Sequence, residues 1–565
     1  MLDEVYEIST SAGKFLIPIE WIKEGHILLA ATLIEEMVKN RYSPDEALIR
    51  FKEEGLAFTT NQDIVKNFYS QILNLEKENK NGIWARFLKN VFAPMMAGKF
   101  DFVVGNPPWI RWEYLSKEYR EATKNLWDLY GLSIIKDSKD TLGKGKKDFS
   151  MLFTYASCDN YLKKGGKLGF LITQEVFKSK GAGEGFRRFQ IGDKEYLKVL
   201  KAHDLVSIKP FEGAANKTAM IIIKKGEKTE YPLPYFVWNK KKGTGKIQTD
   251  NLLEEVLPLL QKKKYIAKPI GLNVGAWQTL FIELKDLSMI EGKNYYKAQS
   301  GIIDDPYGVF WIEIKQILSD GTVIISNLPE KGKREISKIE IKVEPDLIYP
   351  SLRGSDIQRW QAKSKFFVFL TQNPKKREPI PETDFKKYFP KTYNYFIKFK
   401  EILLSSSSKM VKRLREEKAF YAMFGVSTHT MSKYKVVWKQ MSNDIYGAVI
   451  SQIKTPIGYK IIIPLHTTAF ISTNNEDEAH YLCAIINSKP VREFIKSFSS
   501  AGRGFGTPSV MEHIGIPKFD PNNKIHKELS LLSKECHKLK EEGKDKEIER
   551  LEDKIDLLVK KLFNI

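Results

Sequence analysis

Phe102-Val-Val-Gly-Asn-Pro-Pro-Trp-Ile-Arg111 decides the reading of this chain. An apolar run, preceded by Phe100-Asp101, stops at Asn106-Pro107-Pro108-Trp109. A short run of this kind closed by Gly and Pro reads as a buried strand that delivers a rigid turn to the end of a sheet. The two prolines fix φ and remove two backbone donors, so the turn is stiff and its carbonyls stay free. Asn106 offers a side-chain oxygen and Pro107 a carbonyl. Two acceptors aimed at the hydrogens of a planar exocyclic amine would stabilise the positive charge that develops when the amine attacks. Trp109 would stack on a base taken out of its duplex. The competing reading of Pro-Pro alone is an ordinary strand end.

In full, Asp101-Phe-Val-Val-Gly-Asn-Pro-Pro-Trp109 resembles the catalytic motif of S-adenosylmethionine-dependent amino-methyltransferases. It is most similar to the gamma-class adenine-N6 DNA methyltransferases of type IIG-like restriction–modification proteins, from the catalytic motif onward. Relatives in the wider superfamily methylate RNA guanine or protein glutamine with a similar tetrapeptide, so the tetrapeptide does not fix the substrate. The resemblance implies Asn106, Pro107, Pro108 and Trp109 as catalytic residues, S-adenosylmethionine as cofactor with Asp101 and Asn106 on its side, and double-stranded DNA as partner. It also implies that Phe211, in Pro210-Phe-Glu-Gly-Ala-Ala-Asn216, contacts the extruded base. The bland alternative for Phe211 is a core residue under the loop.

The flanking text supports an α/β arrangement. Asp148 to Tyr161 has helical spacing, and Leu162-Lys-Lys-Gly-Gly166 reads as its stop. Strands are expected at Lys167–Thr173, Leu205–Ile208 and Thr218–Ile223. Alternating strands and helices predict part of a doubly wound, Rossmann-like methyltransferase sheet.

The cofactor site of that fold requires a glycine-rich turn after the first strand and an acid ending the second. No such turn is found before Asn106. Ser11-Ala-Gly-Lys14 has one glycine and no expected strand before it, and residues 19 to 90 read as helical. Downstream, Gly181-Ala-Gly-Glu-Gly185 stands apart from the end of its strand. Ala501-Gly-Arg-Gly-Phe-Gly-Thr507 lacks a following strand that ends in an acid. Gly243-Thr-Gly-Lys246 has Ile247 where a phosphate loop needs Ser or Thr. The expectation is therefore that a separate upstream polypeptide carries the cofactor-binding half.

The chain of 565 residues carries 91 Lys and Arg against 70 Asp and Glu, a formal charge of +21, which favours a polyanionic partner. Lys144, Lys146 and Lys147 fall where the phosphates of a target strand would pass. They, Lys240–Lys242 and Lys262–Lys264 read equally as solvated runs. Three distant cysteines and eight scattered histidines match no disulfide or metal spacing. No signal peptide or membrane-length apolar run is present, which gives the expectation of a cytoplasmic protein.

The expected organisation is a helical connector over 1–90, the catalytic part over 91–240 and a basic linker over 241–290. A mixed α+β target-recognition domain follows over 291–520, and terminal helices over 521–565. Arg353, Arg359 and Arg503 are candidate DNA contacts, since Arg pairs bidentately with guanine, or ion-pairing residues of the domain. The leucines after His526 read as helical packing against that domain, with a partner-binding coiled coil as the sharper alternative. No nuclease motif is found. The alternatives to a DNA methyltransferase are a non-catalytic DNA-recognition subunit or inactive remnant, and a methyltransferase of RNA or protein.

Overall fold

The computed structural model describes residues 5–10, 13–56, 62–78, 83–132, 147–179, 181–193, 195–211, 216–248, 250–281, 287–331, 334–405, 409–499 and 505–565. The chain opens with a hairpin of β1 (Val5–Thr10) and β2 (Gly13–Pro18). Gly13, with φ +116, begins the second strand. A strand thus does precede this glycine, contrary to expectation, but it pairs locally as a hairpin. The helices α1 (Ile27–Lys39), α2 (Pro44–Glu53), α3 (Gln62–Lys77) and α4 (Ile83–Met96) follow. Pro44 occupies the first turn of α2, and Ser43 and Glu46 close a reciprocal cap with the Ser43 N–H donating at 2.7 Å. Trp21, Phe51 and Phe68 lie at the centre of this unit's core.

The central sheet is built from β3 (Phe100–Gly105), β4 (Leu162–Thr173), β5 (Glu195–Asp204), β6 (Thr218–Lys225), β7 (Leu233–Lys240), β8 (Leu260–Pro269) and β9 (Trp277–Phe281). Its order is β9-β8-β7-β5-β6-β4-β3. The pairs β3–β4 and β5–β7 are parallel and the remaining pairs antiparallel. The sheet is thus mixed. β3, β4, β5 and β7 still run in one direction, so Gly105, Thr173, Asp204 and Lys240 finish at the same end.

One face is buried by alternation. Leu168, Phe170 and Ile172 align with Ile223, Ile221 and Ala219, and all pack beneath helix α5 (Phe149–Asn160). That helix starts because the Asp148 side chain accepts the Ser150 N–H at 3.0 Å. β3 is the other extreme. It is an edge strand, and Phe102 and Val104 are 70% and 82% exposed on the face opposite the buried one.

Three sequence expectations change. Leu162-Lys-Lys-Gly-Gly166 is not a helix stop, because α5 has ended at Asn160 and these residues begin β4. The strand expected at Leu205–Ile208 lies earlier, over Glu195–Asp204. Its inward Leu197, Val199 and Ala202 are interleaved with lysines, which hid the apolar pattern. Asp204 ends it by accepting the Val206 N–H at 3.0 Å. The basic linker expected over 241–290 contains β8 and β9; the lysines of β8 stand on a sheet rather than in a tether.

The remainder of the chain is mixed α and β. A six-stranded sheet carries Trp311–Ile317 and Phe366–Phe369 at its centre, and a four-stranded sheet carries Tyr434–Lys439 and Thr468–Thr473. Helices Glu476–Asn487, Lys524–Glu541 and Asp545–Leu562 pack on the latter. The terminal leucines are therefore used in packing within the chain.

Lys435 is fully buried in this region, its ammonium donating to the carbonyls of Ser432 at 2.7 Å and Ile462 at 3.3 Å. Burial pulls its pKa down to about 7. The native state thus releases this proton before the unfolded chain does, and Lys435 makes folding more favourable as pH rises from about 7 towards the ordinary lysine value. Urea midpoints of the wild type and Lys435→Met at pH 7 and pH 9 should show a larger gain for the wild type, by up to about 1.4 kcal/mol per pH unit.

Candidate functional site

The turn Asn106–Trp109 leaves the edge strand β3 at the end of the sheet where four carboxyl ends converge. In open α/β sheets that end is where ligands bind. Asn106 is exposed and Pro107 buried. Among the described residues, no hydrogen bond engages the Asn106 side chain or the Pro107 carbonyl.

Trp109 is fixed at both ends. Its indole N–H donates to the Leu171 carbonyl of β4 at 3.2 Å, and its ring meets Phe211 edge-to-face at 5.2 Å and 77°. The loop before β6 thus brings Phe211 to the turn, and both rings are half-buried. A flat ring entering here would displace or flank this edge-to-face contact.

The segment after the turn is clasped by Asp148. The backbone of Ile110–Trp112 pairs with the residues that open α5, through Phe149 N–H to Ile110 O at 2.8 Å and Trp112 N–H to Lys147 O at 2.8 Å. The Asp148 carboxylate accepts from Ser150 Oγ at 2.6 Å and Thr173 Oγ1 at 3.0 Å. It ties together the helix start, the last residue of β4 and the strap that follows the catalytic turn. Burial pushes its carboxyl up, against the pull of Ser150 and Thr173. Beside it, Gln174 Nε2 and the Tyr235 hydroxyl donate to Asp204 Oδ2 at 2.9 and 2.8 Å. Burial and the facing Asp204 raise the Tyr235 phenol well above its usual range, so it stays a donor. Sequence reading placed Asp148 only as the start of a helix. Its spacing to Thr173 becomes visible once the parallel register is known.

The other candidates separate. Asp101 lies near the amino end of β3, about 16 Å of strand from the turn at about 3.3 Å per residue, and pairs with Lys163 at 2.9 Å. The Lys147 ammonium stands 5.1 Å from the ring centroids of both Trp112 and Trp127, an anchor for the strap. Lys144, Lys146 and Arg503 lie outside the described residues. Arg353 is held by Asp356 at 3.0 Å and covers Trp311; Arg359 pairs with Glu552 at 2.7 Å and donates to Asn487 O at 3.0 Å. Both arginines are thus engaged within the chain, Arg353 locally and Arg359 with the last helix.

A nucleoside cofactor needs a glycine cradle with open space above it. The three glycine clusters singled out in the sequence do not supply one beside the turn. A Cβ at Gly185 would lie 2.6 Å from the Gly131 carbonyl and one at Gly183 2.3 Å from Ser179 Oγ. These glycines let the short helix Ala182–Phe186 pack against its neighbours. Gly506 is likewise filled by Lys439 O, 2.2 Å from its Cβ position. Gly243 is open, but it lies in a loop beyond β7, not after β3 or β4. Among the described residues, none of these three glycine clusters provides such a cradle beside the turn.

Asp148→Ala should cost about 1–2 kcal/mol, the loss of a helix cap with Thr173 left unpartnered, read as a shift in urea midpoint. Asp148→Asn, which keeps an acceptor, should recover most of it.

Comparison with known proteins follows the same segment. Among curated relatives, the type II methyltransferase M.HindII of Haemophilus influenzae is 27% identical over 407 residues, 70% of each chain. M.HincII of the same species, also a type II methyltransferase, is 28% identical over 131 residues, 23% of each chain. Among solved structures, the type IIL restriction-modification enzyme MmeI in complex with DNA gives a TM-score of 0.46 at 12% identity, over 82% of this chain and 54% of that one. A nuclease-deletion mutant of the type ISP enzyme LlaGI with a DNA substrate mimic gives 0.38 at 11% identity, over 92% and 51%. The chain spans about half the length of these two structures. Residues 28–206, which contain the turn, Asp148 and both anchors of the strap, match the family described as Eco57I restriction-modification methylase.

Proposed function

We propose that this chain is the amine-binding and DNA-binding part of a DNA adenine-N6 methyltransferase of a restriction–modification system. The observation that carries the reading is the turn itself. It has two unengaged acceptors, Asn106 Oδ1 and the Pro107 carbonyl, beside a Trp109 ring anchored to β4. The Eco57I match and the type II methyltransferases among the relatives support methyl transfer. The charge of +21 supports DNA as the substrate class.

In this reading an extruded adenine sits against Trp109 and Phe211. Its amino group donates both hydrogens, one to Asn106 and one to Pro107. The acceptors draw the nitrogen towards a tetrahedral geometry and frees its lone pair for attack, and their gain is largest as positive charge develops. S-adenosylmethionine is the proposed methyl donor. The donor-binding half is proposed to join beside the open edge of β3. The apolar and unpaired character of that edge supports this, since exposed edges of a sheet invite strand pairing.

Asn106→Ala should lower methyl transfer about 100-fold or more while leaving affinity for duplex DNA within about twofold. Tritium transfer from labelled S-adenosylmethionine to mixed-sequence DNA measures the first, and fluorescence anisotropy the second. Chromatography of the digested product should yield N6-methyladenine; N4-methylcytosine would refute the base assignment. DNA binding without methyl transfer, even when the donor-binding half is supplied, would favour the recognition-subunit reading.

A further inference from the structure

Some lysines of the central sheet are ion-paired: at the end where β3, β4 and β5 begin, Lys163 pairs with Asp101, Lys198 with Glu227 and Glu230, and Lys224 of β6 with Glu227. Towards the carboxyl end, Lys201, Lys240, Lys262 and Lys264 make no ion pair among the described residues; Lys240 reaches only the Gly245 carbonyl at 3.3 Å. Register puts these four on one face. Lys201 lies opposite Ile222 and Lys262 opposite Trp238. Lys264 faces Phe236, and Phe236 lies beside His203. Like-charged side chains gathered without acids raise the free energy of the surface unless an anion meets them.

Aromatic rings hold Lys262 in place. His203 stacks on Phe236 at 5.0 Å and 22°, and the Trp238 indole N–H donates to His203 Nδ1 at 3.0 Å. The Lys262 ammonium stands 5.2 Å from the Phe236 centroid and 5.5 Å from that of Trp238. Burial, with Lys201 and Lys262 nearby, pulls the imidazole down to about 4, so at neutral pH the ring accepts from Trp238 and adds no charge. This orders Lys262 along β8, where the sequence suggested a loose basic linker.

The position is informative. Strands lie about 4.8 Å apart, so β7 is about 19 Å and β8 about 24 Å across the sheet from β3. A duplex rises about 3.4 Å per base pair, so this lateral distance corresponds to roughly six or seven base pairs. We infer that the face of the sheet at the carboxyl ends of β5 and β7 and the amino half of β8 is a phosphate-binding surface for duplex DNA flanking the target base, with Lys201, Lys240, Lys262 and Lys264 as its contacts. It rests on the reading of Asn106–Trp109 as a DNA-modifying turn, and assigns that turn its anchor on one side. Phosphate contacts of this kind fix position and carry no sequence information.

The test is the salt dependence of binding to a fluorescein-labelled mixed-sequence duplex of about three helical turns, between about 50 and 200 mM KCl. Replacing Lys201, Lys240, Lys262 and Lys264 together with Gln should reduce the slope of log K against log salt by about 3.5, near 0.9 per lost contact. A control with Lys527, Lys538, Lys546 and Lys554 of the terminal helices changed to Gln removes the same charge from exposed positions elsewhere. It should leave the slope within about one of wild type. Circular dichroism melts verify that both variants fold. A second form, Lys262→Gln with Lys264→Gln, gives about half the loss if the quadruple variant is unstable. An unchanged slope, or an equal loss in the control, overturns the surface while leaving the catalytic reading intact. A wild-type chain that binds no duplex overturns both. Tighter binding to duplex RNA with the same loss of slope overturns DNA as the partner.

Discussion

The parallel ladder between β3 and β4 places everything that follows. Val103 lies beside Leu168 and Gly105 beside Phe170, so the turn beginning at Asn106 is delivered next to the last residues of β4. A Cβ at Gly105 would stand 3.1 Å from the Phe170 ring, so the smallest residue is what lets the strand reach its end at this spacing. From there Trp109 finds the Leu171 carbonyl, and the strap behind it meets the opening of α5. A shift of one residue in this register would turn Val103 out of the core and carry the turn away from both.

That ladder is also exposed to risk. β3 is paired on one side only, and Phe102 and Val104 stand in solvent. Parallel strands are normally covered on both faces, and open apolar edges favour association. The position of the strand is therefore secured from behind. Val103 packs with the sheet's core, Asp101 is tethered to Lys163, and Asp148 locks the strap to Thr173. The same open edge that threatens solubility gives the donor-binding half its place in the proposed assembly.

How far the sequence announced this depends on how local each signal is. Strand β3, the Pro-Pro turn, helix α5 and the inner strands β4 and β6 are coded by contiguous apolar runs, and each appears close to its expected place. β5 and β8 escaped because one of their faces is lined with lysines, so a half-open strand reads as a charged linker. Phe211 beside Trp109 was expected only through family likeness; no spacing in the chain brings the two together. Asp148 and Asp204 were illegible as partners of Thr173 and Tyr235, since their bonds cross the sheet and depend on register. The arginines fell the other way. Arg353 and Arg359 look like base readers in isolation, but each has a carboxylate within reach in the chain.

The turn also carries a chemical bias that is independent of any partner. The peptide bonds Asn106–Pro107 and Pro107–Pro108 both lack an N–H, so two successive units present carbonyls and no donor. A ring carbonyl brought to this place would set lone pair against lone pair, whereas an amino group would find an acceptor that cannot be exchanged for a donor by flipping a peptide. Asn106 alone can present either end of its amide, and an amine already held by the Pro107 carbonyl favours the oxygen. In the proposed reading, Pro107 and Pro108 bias the turn towards an amine over a carbonyl, Asn106 supplies the second acceptor and strengthens as charge appears, and the rings of Trp109 and Phe211 hold the plane that bears the amine.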